Sequence, residues 1–540
     1  MKRLFFAFFF LIIAIGICYI APNYQVTTFY GEDEIRIVID DKEITKEISS
    51  PVIMIDDKIM LSSNTIDKYF DKWLYHDKKY DTYITTSSTH IAKIKVDSDI
   101  IKIDGVEKKI DVPAQFVNGV LYFPIEELIN VYDIEIENNS KIIITTSKPE
   151  MSTIIAENEI TLRGLKKRFS REIDTIEIGE ELNVFRYSKD KEWVWARSND
   201  GNLGYVSQDD LIQYNIAEYV EEKKAIEKVN LVWEGAENGT PNRQGQKKIE
   251  NIDVISPTWI YLKDTDGNLK TTIDKKYVVW AHDEGYKLWP VLKNDNMGIE
   301  ETSQVVTDMK ARENLIEQLL DICEEYKLDG INIDFEEMKK EDAEAFSQFV
   351  REISVALRSK ELTVSVDVTV PDGSDTWSLC YNRNELIEAV DYMILMAYDQ
   401  YGKWSKTPGS VASFQWVESN LKKMVETYEL DSEKIILAIP LYSRVWKVVD
   451  GKVEDTWAPI MKGLNDYLTS PNTSWVEEDK QYYYESKKGN EWTVMWMDEK
   501  ESIIQKLSLI KKYDLAGSAY WLWGYENETF WDDINEYIKY

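Results

Sequence analysis

The feature that most constrains the fold of this chain is an alternation of apolar strands with amphipathic helices, which begins near Tyr219 and continues to the C-terminus. Amphipathic helices are predicted at 311–327 and 341–357, because each places its apolar residues on one face. Candidate strands lie at 229–233, 254–260, 287–292, 330–335, 362–368, 392–397, 434–439 and 516–521. Eight strands with intervening helices predict an α/β fold, a (β/α)8 TIM barrel over 220–540. Periodicity alone leaves an open doubly wound sheet as the alternative.

The segment between the two helices, Asp-Gly-Ile-Asn-Ile-Asp-Phe-Glu at 329–336, carries the strongest chemical signal. Side chains alternate along a strand, so Asn332, Asp334 and Glu336 point into the barrel while the apolar residues face the helices. Burying two carboxylates is unfavourable unless a site uses them. Glu336 falls at the C-terminal end of the strand, where barrel active sites are built. The alternative is that this segment is a half-exposed strand of an antiparallel sheet, whose polar residues have no catalytic role.

Composition limits the partners of the chain. A formal charge of -33 and a pI near 4.6 argue against nucleic acid, because phosphate binding needs clustered Lys and Arg. The 18 Trp and 32 Tyr favour a glycan held by stacking. Cys18 lies in the first apolar run, so Cys323 and Cys380 are the pair left for one possible disulfide. Three scattered histidines argue against a zinc site, and the sequence predicts no cofactor and no metal.

The N-terminus has the layout of an export signal. Lys2 and Arg3 precede an apolar run over 4–20, whose length is at the lower edge for a membrane-spanning helix. Residues 19–21 offer a poor cleavage site, which favours an uncleaved signal anchor at 1–22 over a cleaved signal peptide. The remainder of the chain is then expected outside the cytoplasmic membrane, anchored to it or secreted to the cell wall.

Two small, mainly β domains are predicted before the barrel. Over 30–148, short alternating strands surround one helix at 124–131, and the segment 112–136 resembles the N-terminal module of copper amine oxidases without implying copper. Over 150–215, strands at 181–187, 193–197 and 204–206 resemble a bacterial SH3-like domain. Both resemblances imply wall-facing modules, and a plain spacer is the alternative for the second.

The string at 329–336 resembles the signature of glycoside hydrolase family 18, Asp-Gly-x-Asp-x-Asp-x-Glu. Three further segments match the family in the same order: Met-Ala-Tyr-Asp at 396–399, Leu-Ala-Ile-Pro-Leu-Tyr-Ser-Arg at 437–444 and Gly-Ser-Ala-Tyr-Trp at 517–521. The resemblance extends over 229–540. It implies a substrate-assisted mechanism, in which the 2-acetamido group of the sugar attacks the anomeric carbon.

The resemblance also implies the role of each matching residue. Glu336 would be the acid, Asp334 would bind the acetamide N–H, and Tyr398 would hydrogen-bond the acetamide oxygen. Trp521 would stack beneath the sugar. Further substrate contacts are predicted at Asn332, Met396, Asp399, Tyr442 and Arg444. For Trp523, packing at the rim and stacking on the sugar both stay open.

The sequence departs from the family at three places. Asn332 stands where the family has Asp, and we expect it to donate a hydrogen bond to Asp334 that favours the ionised carboxylate. The third strand lacks the Ser-x-Gly-Gly common in chitinases. The stretch 448–490 lacks an obvious chitinase-type insertion and is predicted to form a small β element. The last two departures argue against crystalline chitin.

The sequence therefore predicts an exported hydrolase that cleaves β-1,4 linkages after N-acetylglucosamine in peptidoglycan, a polysaccharide of the cell wall. Hydrolysis of chitin or chito-oligosaccharides is the enzymatic alternative. A glycan-binding protein without activity is the other alternative, and retention of Glu336 argues against it.

Overall fold

The computed structural model describes residues 34–146, 152–214 and 227–539. They form two compact units, one of 34–76 with 81–214 and the other of 77–80 with 227–539. The anchor predicted at 1–22 lies outside the described residues. Within the described ranges, no helix has both the length and the apolarity needed to cross a membrane.

The first unit begins with thirteen short strands, as the alternating sequence predicts. Strands β1–β13 are Ile37–Ile39, Lys42–Glu43, Val52–Ile55, Lys58–Ser62, Tyr75–Asp77, Thr82–Thr86, Ile91–Lys95, Ile100–Ile103, Val106–Lys109, Gln115–Val117, Val120–Pro124, Ile134–Asn138 and Ile142–Thr146. A helix covers Ser63–Tyr69, and the helix predicted at 124–131 is a 3-10 turn, Ile125–Leu128, followed by the α-helix Ile129–Tyr132. Isoleucines, leucines and Phe123 fill the shared core.

The first unit continues with one six-stranded antiparallel sheet. Strands β14–β19 are Ser152–Ile155, Ile160–Arg163, Glu172–Ile176, Glu181–Tyr187, Trp193–Ser198 and Leu203–Ser207, followed by the 3-10 helix Gln208–Asp210. Their spatial order is β14-β17-β18-β19-β15-β16. The three strands predicted in this region are confirmed. Its likeness to SH3 domains stays a prediction.

The second unit contains the remaining strands. Strands β20–β35 are Val229–Glu234, Val254–Pro257, Ile260–Leu262, Leu269–Thr271, Lys287–Leu288, Val291–Lys293, Gly330–Asp334, Thr363–Thr369, Tyr392–Met396, Ile435–Pro440, Arg444–Val449, Lys452–Trp457, Thr473–Val476, Gln481–Lys488, Glu491–Met497 and Gly517–Trp521. The α-helices are Lys275–Asp283, Ile299–Thr307, Met309–Tyr326, Ala343–Arg358, Arg383–Ala389, Phe414–Lys422, Asn465–Leu468, Lys500–Tyr513 and Phe530–Ile534. Shorter 3-10 turns cover Lys340–Asp342, Ser432–Lys434, Met461–Gly463 and Asn535–Tyr537, and a π-helical turn covers Lys423–Thr427.

The parallel strands close into a barrel. The last strand, β35, pairs in parallel with both β29 and β20, which joins the two ends of the series. The second barrel strand is split into β21 and β22, and the third into β24 and β25. All eight predicted barrel strands are present within a few residues of their predicted bounds. Closure excludes the open doubly wound sheet.

Apolar side chains of the barrel fall into two layers. Val364, Val366 and Ile333 pack outward against the surrounding helices, whereas Trp233, Trp289 and Ile394 belong to a separate cluster that includes the inward-facing residues. Both layers are buried, as expected for parallel strands covered by helices. Cys323 and Cys380 are free and buried, so the possible disulfide between them does not form.

The segment between the seventh and eighth barrel strands forms a substantial subdomain. Strands β30–β34 make a five-stranded antiparallel sheet in the order β31-β30-β34-β33-β32. The predicted β element is therefore confirmed, and with five strands it is larger than the sequence indicated. Amphipathic strands such as Gln481–Lys488, which carry lysines and tyrosines together, hid its extent in the sequence.

Candidate active site

The C-terminal ends of the central barrel strands bring acidic side chains together. Ile331, Ile333 and Phe335 lie in the core beneath the helices, which confirms the predicted alternation along β26. Asp334 ends that strand and Glu336 follows it. Gly330 starts the strand where a Cβ atom would lie 2.5 Å from the backbone oxygen of Thr363. The glycine therefore allows β26 to approach its neighbour closely, below the carboxylates.

Asn332 is fully buried, and all of its amide contacts are inside the barrel. Its Oδ1 accepts hydrogen bonds from Trp233 Nε1 at 2.9 Å and from Ser256 Oγ at 3.2 Å. Its Nδ2 donates to Ser365 Oγ at 3.1 Å and to Asp367 Oδ1 at 2.7 Å. The expectation that Asn332 donates to Asp334 is therefore wrong. The amide N–H group of Asn332 instead donates to Asp367 on the adjacent strand β27.

Asp334 has a buried carboxylate oxygen, Oδ1, for which the described residues provide no hydrogen-bond partner. Burial raises the pKa of Asp334 to about 6, the positive charge of Lys293 lowers it, and Asp295 raises it. A buried acceptor without a donor is costly. Oδ1 is therefore placed to accept a hydrogen bond from a bound molecule.

The surroundings of Glu336 strongly raise the pKa of its carboxyl group. Burial raises the pKa of Glu336 well above its ordinary value, and the carboxylates of Asp334 and Asp399 raise it further. Burial likewise raises the pKa of Asp367 strongly, with Asp334 adding to the shift. Burial and the neighbouring carboxylates therefore favour the protonated forms of Glu336 and Asp367. A protonated Glu336 can donate a proton to a bound molecule.

The backbone of Glu336 is held in place by a side chain that the sequence did not single out as functional. Asn294 follows β25, and its Oδ1 accepts from the Glu336 backbone N–H at 3.0 Å while its Nδ2 donates to the Glu336 backbone oxygen at 3.0 Å. Nδ2 also donates to Thr302 Oγ1 at 3.0 Å. On the other side, Tyr381 Oη donates to the Phe335 carbonyl at 2.7 Å. Hydrogen bonds from the side chains of Asn294 and Tyr381 therefore fix the backbone that carries Glu336.

The sixth strand brings an aromatic and a carboxylate to the same edge. Tyr398 is partly buried, and burial, together with Asp367, Asp334 and other neighbours, raises its pKa well above its ordinary value. The phenol is therefore a neutral hydrogen-bond donor. Met396, the last residue of β28, is buried, and its contact with substrate stays a prediction.

The segment that follows the seventh barrel strand supplies the partners of Asp399. Tyr442 Oη donates to Asp399 Oδ1 at 2.7 Å, and Arg444 Nη2 lies 4.0 Å from the same oxygen. The Nε atom of Arg444 is buried without a hydrogen-bond partner among the described residues. The structure thus brings these three predicted contact residues together.

Two tryptophans of the eighth strand differ in surroundings. Trp521 ends β35, is partly buried and packs edge-on against Trp233 with ring centroids 5.7 Å apart. Trp523 is 7% exposed, and the guanidinium carbon of Arg243 lies 3.9 Å from its ring centroid. Trp523 is therefore a packing residue. Trp521 is the one with surface left for a ligand.

Comparison with known families agrees with the sequence motifs. Residues 282–526 match the family described as glycosyl hydrolases family 18. Residues 38–146 match the copper amine oxidase N-terminal domain. These two of the three resemblances stated from the sequence are confirmed, and the SH3-like resemblance stays a prediction.

Known proteins are similar over about half of the chain. A Bacillus subtilis protein named uncharacterized glycosylase YvbX is 29% identical over 286 residues, which cover 51% of this chain and 82% of that protein. The cortical fragment-lytic enzyme of Bacillus anthracis is 22% identical over 270 residues, covering 47% of this chain and 61%, less than two thirds, of that enzyme. The crystal structure of the spore cortex-lytic enzyme SleL from Bacillus megaterium superposes with a TM-score of 0.51 at 20% identity, covering 62% of this chain and 77% of that one. The superposition shows a shared fold.

Proposed function

We propose that this chain, a glycoside hydrolase whose C-terminal unit is a family 18 domain, cleaves β-1,4 linkages that follow N-acetylglucosamine in peptidoglycan. One observation carries the proposal: the buried Oδ1 of Asp334 has no hydrogen-bond donor among the residues that the structure describes, and it lies beside Glu336, whose pKa is raised well above its ordinary value. The N–H of a 2-acetamido group supplies the missing donor. A sugar without that group leaves the oxygen unsatisfied.

In the first step, Glu336 donates its proton to the glycosidic oxygen as the bond from that oxygen to the anomeric carbon breaks. The carbonyl oxygen of the acetamide group attacks the same carbon and forms a cyclic oxazolinium ion. Asp334 accepts the acetamide N–H, and its negative charge stabilises the positive ring. The Tyr398 hydroxyl orients the acetamide oxygen for attack.

In the second step, Glu336 is a carboxylate and takes a proton from a water molecule. The water oxygen bonds to the anomeric carbon as the oxazolinium ring opens, and the acetamide group is restored. Two displacements at one carbon retain its configuration. The acid is reprotonated, so no group of the protein is consumed.

Peptidoglycan is favoured by two independent facts. The Bacillus anthracis relative is named a cortical fragment-lytic enzyme. The family 18 domain is preceded by a copper amine oxidase N-terminal domain and a six-stranded sheet, which we interpret as wall-facing modules. We further propose that residues 1–22 anchor the chain to the outer face of the cytoplasmic membrane, where this polymer lies.

The test incubates the full chain with purified peptidoglycan, cortex peptidoglycan and chito-oligosaccharides, and identifies the products by mass spectrometry. Wild type should release fragments with reducing-end N-acetylglucosamine, and Glu336→Gln should release none. The exposed Glu341→Gln is the matched control and should retain activity. Cleavage of chito-oligosaccharides alone would replace peptidoglycan with chitin-type substrates. Glycan binding without cleavage by wild type would refute hydrolysis.

A further inference from the structure

The third barrel strand ends in a buried lysine that the family resemblance did not predict. Lys293 is the last residue of β25, and its side chain is 7% exposed. Its ammonium group donates to Glu237 Oε1 at 3.0 Å and lies 2.8 Å from Asp295 Oδ2. It also lies 5.0 Å from the ring centroid of Tyr261. The side chain is therefore fixed by groups from three different strands or their loops.

A buried ammonium ion is expensive to desolvate, but here Asp295 and Glu237 more than offset the effect of burial, so that the pKa of Lys293 is raised overall. Glu237 and Asp295 are both about half exposed, so each can be solvated without the lysine. Methionine fills a similar volume at no desolvation cost. Lys293 is therefore a stable positive charge in a place where an apolar side chain would pack equally well.

Lys293 lies directly beside Asp334. The two residues are Cα partners across the parallel pair β25–β26, so their side chains leave the sheet on the same face. The amide of Asn332 is committed to Ser365 and Asp367. Asp334 consequently receives no hydrogen bond from Asn332, which stands where the family has a second carboxyl.

We propose that Lys293 is a positioning residue for the reaction, whose buried ammonium ion keeps Asp334 ionised so that it can accept the acetamide N–H and stabilise the oxazolinium ion. The inference rests on the proposed function. It assigns to the third strand the electrostatic task that Asn332 cannot perform. The hydrogen bond to Glu237 and the ion pair with Asp295 hold the ammonium ion in place.

Other charged and titratable groups also surround Asp334. They are Asp295 from the third strand, Glu336 from its own strand, Asp367 and Tyr381 from the fifth strand and its loop, and Tyr398 from the sixth. The carboxyls of this set disfavour a further negative charge, and the phenols are neutral. Lys293 lowers the pKa of Asp334 against them. Its removal should therefore raise that pKa.

The experiment compares the pH dependence of kcat/KM for wild type, Lys293→Met and Lys293→Arg in the full chain. In Lys293→Met the acidic limb should move to higher pH by about 1 unit, with the rate recovering toward wild type above that limb. Lys293→Arg keeps the charge and should shift less. Lys287→Met removes an exposed lysine from the opposite end of the same strand and should not shift the limb. A uniform rate loss at every pH, or an unmoved limb, would overturn the proposal.

A second measurement does not depend on turnover. The carboxyl carbons of aspartate are labelled with carbon-13 and titrated by NMR, and the Asp334 signal is identified by its absence in Asp334→Asn. Its midpoint in Lys293→Met should lie about 1 unit above that in wild type. Identical midpoints would refute the role of Lys293. If wild type cleaves no glycan, the proposed function fails, while this titration still decides the inference.

Discussion

Replacing Asn332 with Asp should change the pH dependence of the reaction without abolishing it. The Asn332 amide donates to Asp367 Oδ1 at 2.7 Å, so the substitution places two carboxyls in direct contact. Two carboxyls at that distance share one proton, and the pair carries one negative charge. In wild type the same position pairs a neutral amide with Asp367, whose pKa is strongly raised. The substitution therefore adds about one negative charge below Asp334.

The size of the effect follows from the strand geometry. Residues 332 and 334 lie on the same face of β26, about 6.6 Å apart at a rise of about 3.3 Å per residue. A unit charge at that distance acts with about 2.5 kcal/mol at an effective dielectric constant of about 20. That energy corresponds to about 2 pH units. The shared proton does not carry this charge away from Asp334, because the parallel register of β26 with β27 brings residue 367 level with residue 334.

The sign follows from the state that the reaction requires. Asp334 must be ionised, so a raised pKa moves the acidic limb of kcat/KM from about 6 upward, by as much as about 2 units. The same added charge raises the pKa of Glu336 and moves the alkaline limb in the same direction. The assay is a pH–rate profile on chito-oligosaccharide, with the exposed Asn465→Asp as the charge-matched control. A profile of Asn332→Asp that overlays wild type would refute this account of the buried amide.

Two further predictions concern positioning and stability. Asn294→Ala should lower kcat more than it changes KM in steady-state assays, because it removes both hydrogen bonds that hold the Glu336 backbone. An unchanged kcat would contradict this role of Asn294. Lys506→Met should lower the free energy of unfolding by about 3–5 kcal/mol in denaturant titrations. The reason is that Lys506 Nζ donates to the fully buried Asp498 at 2.7 Å, and an unpaired carboxylate would remain. The exposed Lys511→Met is its control, and equal losses in both would refute this.

Strand positions in the barrel could be predicted because parallel strands such as β28 and β29 are apolar runs between polar segments. The signature at 329–336 broke that rule, and its polar residues do face inward. The alternation of side chains along a strand predicts which face of the sheet a residue occupies. It does not predict which residues of the neighbouring strand lie beside it. The partner of Asn332 was therefore misjudged, since Asp367 lies on the next strand, 35 residues later in the sequence.

Other parts of the site left little signal in the sequence. Asn294 follows an apolar strand, where an asparagine usually begins a turn, and its clamp on Glu336 depends on the pairing of β25 with β26. Lys293 resembled an ordinary charged residue at the end of a strand. Both roles arise from contacts between segments about forty residues apart, which local pattern does not encode.

The central claim is that the acetamide group of the substrate performs the attack, and the anomeric configuration of the first product tests it most directly. Proton NMR during the first minutes of chito-oligosaccharide hydrolysis, before mutarotation, distinguishes the two anomers. We expect the β anomer to appear first, because two displacements at the same carbon retain configuration. Initial release of the α anomer would show direct attack by water and would contradict the roles proposed for Asp334 and Glu336.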